Sequence, residues 1–193
     1  GTPPLHASAV TLAGRAIAIG GDSGAGKSTT TRALLQRGHR LLAEDQVLID
    51  PTAQHVYPGT PDLRLWAAAA HHFGDPMPAD ARVGTGEDKF TITSLRDQFD
   101  DEPRPLAAIF ILSPDPAERP TAERLGKAPA ATALHRHVYR LRLATFMGLG
   151  PGIFRWATTL AATVPVFALR RPHDLARLGE LAAFIEQLME SRG

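Results

Sequence analysis

The sequence of 193 residues contains no cysteine, which excludes disulfide bonds and thiolate metal sites. Aromatic residues make up only 6%, which leaves little for the base-stacking surfaces of single-strand nucleic-acid binding proteins. No apolar run approaches the roughly 20 residues that a membrane-spanning helix needs, and no signal-peptide pattern opens the chain. We therefore expect a cytoplasmic protein with no membrane partner, and the start at Gly1-Thr2 leaves room for a missing upstream segment.

Acidic residues are missing from one long stretch: no aspartate or glutamate lies between Arg124 and His173. Eight basic residues fall in this stretch, namely Arg124, Lys127, Arg136, Arg140, Arg142, Arg155, Arg170 and Arg171. Such a distribution predicts a positive face that attracts anions. An ordinary solvated helix surface explains the same residues equally well, so both interpretations stay open.

What the sequence does contain is typical of one globular α/β domain over residues 1–193, with 44% hydrophobic and 21% charged residues. The apolar run Arg15–Gly20 predicts a buried strand, followed by a glycine-rich segment and a helix from Lys27 to Arg37. Arg40–Ile49 then reads as a strand. Further helices are predicted at Leu63–Phe73, Ala130–Met147, Ile153–Ala162 and after Asp174, further strands at Leu106–Leu112 and Val164–Leu169, and a polar loop at Gly84–Asp88.

The segment after the first predicted strand matches the phosphate-loop pattern G-x-x-x-x-G-K-[ST] in full. Glycines allow the backbone N–H groups to surround phosphate oxygens, and the following helix N-terminus adds its own N–H groups and dipole. Lys27 is expected at the β- and γ-phosphates, with the Ser28 hydroxyl on Mg²⁺. The sequence thus predicts ATP and Mg²⁺ as cofactors, bound by Gly21, Asp22, Ser23, Gly24, Ala25, Gly26, Lys27, Ser28 and Thr29.

An acidic pair, Glu44-Asp45, follows the loop 17 residues after Ser28 and has apolar neighbours on both sides. In a strand, adjacent residues point to opposite faces, so we predict that only one of the two carboxylates faces the phosphates. A buried carboxylate needs a charge or metal partner, and a magnesium–phosphate site supplies one. Asp115 is the other candidate, but the prolines around it predict a solvated turn beyond the strand.

Three segments together resemble the catalytic core of HPr kinase/phosphorylase: Leu5-His6-Ala7-Ser8, the phosphate loop, and Arg37-Gly-His-Arg-Leu-Leu-Ala-Glu-Asp45. The resemblance implies a P-loop α/β domain of the HPr-kinase/phosphoenolpyruvate-carboxykinase type, a mixed sheet with flanking helices. It further implies that Asp45 is the base for an acceptor serine. The implied catalytic set is His6, Lys27, Glu44 and Asp45, and the implied magnesium ligands are Ser28, Asp45 and Asp62.

The sequence departs from that family in places. Glu44 stands where the family has aspartate, Asp62-Leu-Arg64 replaces its E-[IV]-R-G motif, and the glycine-rich loop used for dephosphorylation has no counterpart. The divergent part resembles short kinases encoded with lasso peptides, through Tyr57-Pro-Gly, Leu63-Arg-Leu-Trp66 and Arg136-His-Val-Tyr-Arg-Leu-Arg142. This implies a precursor-peptide serine as acceptor, and the family resemblance allows a homo-oligomer.

Three further residues are candidates for substrate contacts: Arg136 and Arg140, expected on one helix face, and Lys89 in a glycine-bearing polar loop. Solvated surface positions explain all three as well. HPr as the acceptor, a small-molecule kinase with a lid at Arg119–Arg124, and a nucleotide-dependent DNA-binding module remain alternatives. No recognition-helix motif supports the last, so no nucleic-acid partner is expected. The spacing of His71-His72 and of His135 and His137 does not favour a zinc site.

Overall fold

The computed structural model describes residues 2–84, 88–93, 95–115 and 119–191. Its strands are β1 (Ala7–Leu12), β2 (Arg15–Gly21), β3 (Arg40–Ala43), β4 (Ile49–Asp50), β5 (His55–Val56), β6 (Leu63–Trp66), β7 (Lys89–Ile92), β8 (Arg104–Asp115), β9 (Thr121–Arg124) and β10 (Val166–Pro172). Its α-helices are α1 (Lys27–Gln36), α2 (Ala67–Phe73), α3 (Lys127–Arg136), α4 (Leu141–Phe146), α5 (Gly150–Thr163) and α6 (Leu178–Glu190). Short 3-10 turns lie at Ala79–Ala81, Arg96–Gln98 and Leu175–Arg177.

The main sheet has the strand order β3-β1-β2-β8-β10-β9, with β4 and β5 attached beside the start of β8. Its centre is parallel, because β2 and β10 both run parallel to β8. Its margins are antiparallel: β1 pairs with β2, β3 with β1, and β9 with β10. Strands β6 and β7 form a separate hairpin-like pair. The predicted mixed α/β sheet with flanking helices is therefore confirmed.

Strand direction brings several strand ends to one edge of this sheet. The start of β1 lies at the end of β2, since Ala7 pairs with Gly20. The end of β3 lies beside the start of β1, since Ala43 pairs with Ala9. The parallel strands β2, β8 and β10 also end at this edge. Loops that follow the carboxyl ends of parallel strands are the usual location of ligand sites in α/β proteins.

Helices cover both faces of the sheet and bury its apolar side chains. On one face, α3 and α5 enclose Leu134, Trp156 and Leu160 against β1 and β2. On the other, α1 and α6 pack Leu34 and Ile185 against β8 and β10. No helix in the described part of the chain is long and apolar enough to cross a membrane.

Several sequence-based boundaries are wrong because tertiary pairing overrides local pattern. The helix predicted from Leu63 begins as strand β6, paired with β7, and becomes helical only at Ala67. The helix predicted over Ala130–Met147 is broken into α3 and α4 by Arg140, whose φ of 50° is left-handed. Strand β1 was not predicted, and of the predicted loop Gly84–Asp88, residues 85–87 lie outside the described residues.

Strand β8 also extends further than its sequence indicates. Despite its prolines it continues to Asp115, which pairs in register with Pro172 of β10, so the predicted solvated turn at Asp115 is wrong. A strand tolerates proline where the missing N–H falls outside the hydrogen-bond ladder. Asp115 accepts from Arg170 Nη1 at 3.2 Å.

A buried ion pair fixes α2 against α1. Arg32 donates to both carboxylate oxygens of Asp75, with Nε–Oδ2 at 2.9 Å and Nη2–Oδ1 at 2.8 Å. The two side chains are only 10% and 4% exposed. Removing one partner of such a pair leaves an uncompensated buried charge.

We predict that Asp75→Asn lowers the free energy of unfolding by about 3–5 kcal/mol, the usual cost of breaking a buried pair. The exposed Arg177–Glu180 pair is the control, because Glu180→Gln should cost no more than about 1 kcal/mol. Chemical denaturation of both variants measures the difference. A double variant, Arg32→Met with Asp75→Leu, should recover most of the loss; equal small effects of the two single changes would contradict the prediction.

Candidate active site

The glycine-rich segment between β2 and α1 forms a tight loop at the sheet edge. Gly21 has a φ of 147°, and a side chain there would lie 2.6 Å from the carbonyl oxygen of Leu112. Lys27 opens α1 and folds back over the loop, donating to the carbonyls of Gly21 at 3.0 Å and Asp22 at 3.1 Å. Burial lowers the pKa of Lys27, while the carboxylates of Asp45 and Glu44 oppose that shift. The loop has the form expected of a phosphate cradle.

Glu44 reaches the loop through Ser28, whose Oγ donates to Glu44 Oε1 at 2.7 Å. Burial raises the pKa of Glu44, and the Ser28 hydrogen bond only partly offsets this, while the charge of Asp45 adds to it. Glu44 and Ser28 thus place a carboxylate oxygen and a hydroxyl oxygen side by side, and both are kinds of oxygen that bind Mg²⁺ in proteins. In the ligand-free state Glu44 is an ionisable group with little compensation for its charge.

Asp45 faces His6. The His6 Nδ1 lies 3.1 Å from Asp45 Oδ1 and 3.2 Å from the Asp45 carbonyl oxygen, so an Nδ1–H donates to both. This hydrogen bond is the main reason why the pKa of Asp45 is lowered; burial opposes it, and the charges of His6, Arg64 and Lys27 add to it. Asp45 is thus an ionised carboxylate at neutral pH, oriented by an imidazole. It opens into a cleft at the sheet edge that is lined by the phosphate loop, His6, Glu44, Arg64, Lys89 and Arg171.

The two carboxylates do not point apart as the strand pattern predicted. Strand β3 ends at Ala43, and Asp45 adopts a left-handed φ of 65° in the bend that follows. Both Glu44 and Asp45 therefore line the same cleft. A positive φ is unfavourable for a residue with a Cβ, although aspartate tolerates it better than most, and such strain is concentrated at functional sites.

His6 is placed by backbone pairing on two sides. The Leu5 N–H donates to the Val47 carbonyl at 2.9 Å, just after the acidic pair. The His6 N–H donates to the His137 carbonyl at 2.7 Å, where α3 ends. The fully buried Leu5 anchors this segment in the core. His6 is therefore held between the acidic pair and the end of α3.

Other basic side chains complete the cleft. Arg64 on β6 lies 3.8 Å from Asp45 Oδ2, and Lys89 on β7 lies over the Trp66 ring with its Nζ 5.0 Å from the ring centroid. Arg171, at the end of β10, also lines the cleft. Neither Arg64 nor Arg171 was predicted as a site residue. The available signals were the weak D-L-R counterpart of a family motif and a basic pair at the end of an apolar run.

A divalent cation fits the oxygen donors at the loop. Ser28, Glu44 and Asp45 offer hard ligands, and Mg²⁺ is usually held by one or two carboxylates together with substrate phosphates. The described residues contain no group of three or more His, Cys, Asp or Glu that forms a metal cage by itself. Asp62 is not among the residues that line the cleft, although its buried Oδ1 has no hydrogen-bond partner among the described residues. Its role as a metal ligand stays a prediction.

Arg136 and Arg140 lie together beside the phosphate loop, but not on one helix face as predicted, because α3 ends between them. Arg136 donates to Asp22 Oδ2 at 2.9 Å, and the Arg140 guanidinium lies 5.5 Å from the Tyr139 ring centroid. With His137 they line a hollow that adjoins His6. Burial lowers the pKa of His137, so its ring is neutral at physiological pH.

Comparison with known proteins confirms the resemblance to the HPr kinase family in the first third of the chain. Residues 2–66 match the model of the HPr serine kinase C-terminal domain. The HPr kinase/phosphorylase of Limosilactobacillus reuteri is 43% identical over 56 residues, which are 29% of this chain and 18% of that protein. That of Treponema pallidum is 52% identical over 48 residues, 25% of this chain and 15% of that protein. The aligned segments thus span less than a fifth of either relative.

Among solved structures, the Hpr(Ser) kinase/phosphatase from Coxiella burnetii aligns over 97% of this chain and 88% of that chain. The alignment has a TM-score of 0.47 and 15% sequence identity.

The raised pKa of Glu44 makes a testable prediction about stability. A folded-state pKa above the ordinary 4.5 means that ionised Glu44 destabilises the fold. This cost develops as pH rises from the ordinary pKa of 4.5 through the higher pKa of the folded state. Glu44→Gln should therefore raise the melting temperature of the ligand-free protein at pH 7. The gain should vanish below about pH 4.5, where Glu44 is protonated in both states.

Thermal unfolding of both proteins across this pH range provides the measurement. Glu190→Gln, on the exposed end of α6, is the matched control and should leave the curve unchanged. If the melting temperatures of wild type and Glu44→Gln change in parallel with pH, then ionised Glu44 does not destabilise the fold.

Proposed function

We propose that this chain, HPr kinase-like over residues 2–66, is an ATP- and Mg²⁺-dependent kinase that transfers the γ-phosphate to a serine hydroxyl of a peptide or small protein. One observation carries the proposal: the Asp45 carboxylate, 3.1 Å from His6 Nδ1, lines the same cleft as the phosphate-loop residues Lys27 and Ser28. A nucleotide cradle alone serves many activities. A carboxylate base next to it is what transfer to a hydroxyl requires.

Each side chain has a separate task in the proposed reaction. The loop N–H groups and Lys27 hold the triphosphate and stabilise the charge on the transferring phosphoryl group. Ser28 and Glu44 would hold Mg²⁺, which when bound neutralises charge on the β- and γ-phosphates. Asp45 accepts the proton of the acceptor hydroxyl, and His6 keeps the carboxylate ionised and aimed into the cleft. The hydroxyl oxygen then bonds to phosphorus as the bond to the ADP oxygen breaks.

The acceptor is proposed to be a lasso-type precursor peptide, with an HPr-like protein as an equally supported alternative. The resemblance of Leu63-Arg-Leu-Trp66 to short lasso-peptide kinases supports the former, and the names of the HPr kinase/phosphorylase relatives support the latter. The hollow beside the phosphate loop, with the basic side chains of Arg136 and Arg140, fits an extended segment that carries acidic groups. A small-molecule acceptor is less supported, because Thr121–Arg124 is strand β9, hydrogen-bonded to β10, and not a free lid. Phosphoserine detected by mass spectrometry on one of the two purified acceptors decides between them.

Asp45→Asn keeps the shape of the side chain but removes the proton acceptor. We predict that kcat falls by about 10²–10⁴-fold, the usual contribution of a general base. ATP affinity should persist, since Lys27 and the loop N–H groups hold the phosphates. The measurement is phosphate transfer at saturating ATP, Mg²⁺ and acceptor.

Glu44→Gln is the matched comparison, because it neutralises the adjacent carboxylate. It should raise the Mg²⁺ concentration needed for half-maximal rate and lower kcat less than Asp45→Asn does. An inactive Glu44→Gln beside a nearly normal Asp45→Asn would exchange the two roles and remove Asp45 as the base.

Arg140 tests the acceptor hollow. We predict that Arg140→Gln raises the KM for the acceptor several-fold and leaves the KM for ATP unchanged, because its guanidinium lines the hollow and has no ion pair within the described residues. Arg136→Gln should affect both constants, since Arg136 also pairs with Asp22 of the phosphate loop. Arg142→Gln, exposed on α4, is the control. Equal acceptor kinetics in all three variants would restore the interpretation of a solvated surface.

A further inference from the structure

Arg171 is a buried cation at the end of β10, and no step of the proposed reaction uses it. Its residue is only 7% exposed, although arginine is rarely buried unless paired. Its Nε donates to the Ala25 carbonyl at 2.8 Å and its Nη1 to the Pro172 carbonyl at 2.9 Å. Both acceptors are neutral, and in the described residues no carboxylate forms an ion pair with Arg171.

The other cations of the cleft have acidic neighbours. Arg64 lies within 3.8 Å of Asp45, and the charges of Glu44 and Asp45 act on Lys27. Burial lowers the pKa of Arg171, and no acidic group among the described residues opposes that shift. Taking a charge out of water without an opposite charge is costly. The side chain nevertheless lines the cleft beside Gly26 and Thr29, so an anion that enters the cleft can supply the missing charge.

The contact with Ala25 also orients the phosphate loop. A trans peptide unit places its C=O and N–H on opposite sides. Because Arg171 binds the Ala25 carbonyl, the N–H of Gly26 in the same peptide unit points away from that bond. The guanidinium packs directly on Gly26, where any Cβ would lie 2.6 Å from Nε and Nη2. The glycine is thus needed for this contact as well as for its φ of 98°.

We infer that Arg171 is a phosphate-binding residue of the nucleotide site. Its guanidinium, which has no ion pair among the described residues, binds the nucleotide phosphates and holds the Ala25–Gly26 peptide in place. The inference rests on the proposed binding of a nucleotide. It concerns a residue from the last part of the chain, outside residues 2–66 that match the kinase family model.

The strand itself supplies a matched control. Arg170 precedes Arg171 on β10 and points to the other side, where its side chain is 61% exposed and pairs with Asp115. Arg170→Met and Arg171→Met remove the same charge from neighbouring positions. Arg171→Lys keeps the charge but loses the guanidinium geometry that allows two backbone bonds at once.

The test is a fluorescence titration with mant-ADP and Mg²⁺ at several NaCl concentrations, together with competition by inorganic tripolyphosphate. Arg171→Met should raise the Kd for mant-ADP by about tenfold or more, the scale of a charge-assisted hydrogen bond. The Kd for tripolyphosphate should rise by the same factor, and the salt dependence of both should become shallower. Arg170→Met should stay within about twofold of wild type.

Thermal unfolding without ligand separates an effect on nucleotide binding from an effect on the stability of the fold. The ligand-free melting temperature of Arg171→Met should stay close to that of wild type, because the change removes an unpaired buried charge but also the donor of the Ala25 and Pro172 carbonyls. Arg171→Lys should bind mant-ADP with intermediate affinity and keep the steeper salt dependence, which decides the question even where the methionine variant does not fold.

The inference is overturned if both Arg171 variants bind mant-ADP within about twofold of wild type. It is also overturned if Arg171→Met weakens the binding of mant-ADP but not the binding of tripolyphosphate. If the wild-type protein binds mant-ADP and either of these results is found, the proposed kinase function still stands. No binding of mant-ADP by the wild-type protein would instead overturn the nucleotide proposal and this inference with it.

Discussion

The register and direction of the strands in the main sheet are the constraint on which the site depends. Antiparallel β1 must begin where β2 ends, so His6 precedes β1 at the edge where the phosphate loop follows β2. Antiparallel β3 ends at the same edge and delivers Glu44 and Asp45. Parallel β10 ends there as well and delivers Arg171. Residues that are far apart in sequence therefore meet in one cleft, and a slip of one residue in any of these pairings would turn a side chain to the other face.

Electrostatics then determines what this cleft can accept. Among its described lining residues, Lys27, Arg64, Lys89 and Arg171 oppose only two carboxylates, and the N-terminus of α1 adds partial positive charge. The two carboxylates are also unequal. Hydrogen bonding by His6 keeps Asp45 ionised, whereas burial favours the protonated form of Glu44. Neighbouring carboxyl groups whose pKa values are driven apart are suited to different tasks, and we propose that Asp45 is the base and Glu44 the metal ligand.

The sequence allowed much of the phosphate loop and the sheet class to be predicted, because those depend on local pattern: glycines, a strand before and a helix after. The orientation of the acidic pair could not be predicted the same way. A strand pattern assumes extended φ throughout, and Asp45 leaves it at a φ of 65°. Arg140 breaks a helical pattern for the same reason. Arg64 and Arg171 could not be placed because their proximity to the loop follows from strand pairing between distant segments.

The cleft also divides between two parts of the chain. The phosphate loop, the acidic pair and His6 all fall within residues 2–66, where the kinase family model matches. Arg136, Arg140 and Arg171 come from the stretch without acidic residues and surround that core from β10 and the end of α3. An acidic acceptor segment therefore gains Coulomb energy as it approaches the loop from this side, and a basic one is repelled. In the proposed reaction, the transferring groups thus lie in the family-like third, and the remainder adds the positive charge of Arg136, Arg140 and Arg171 around them.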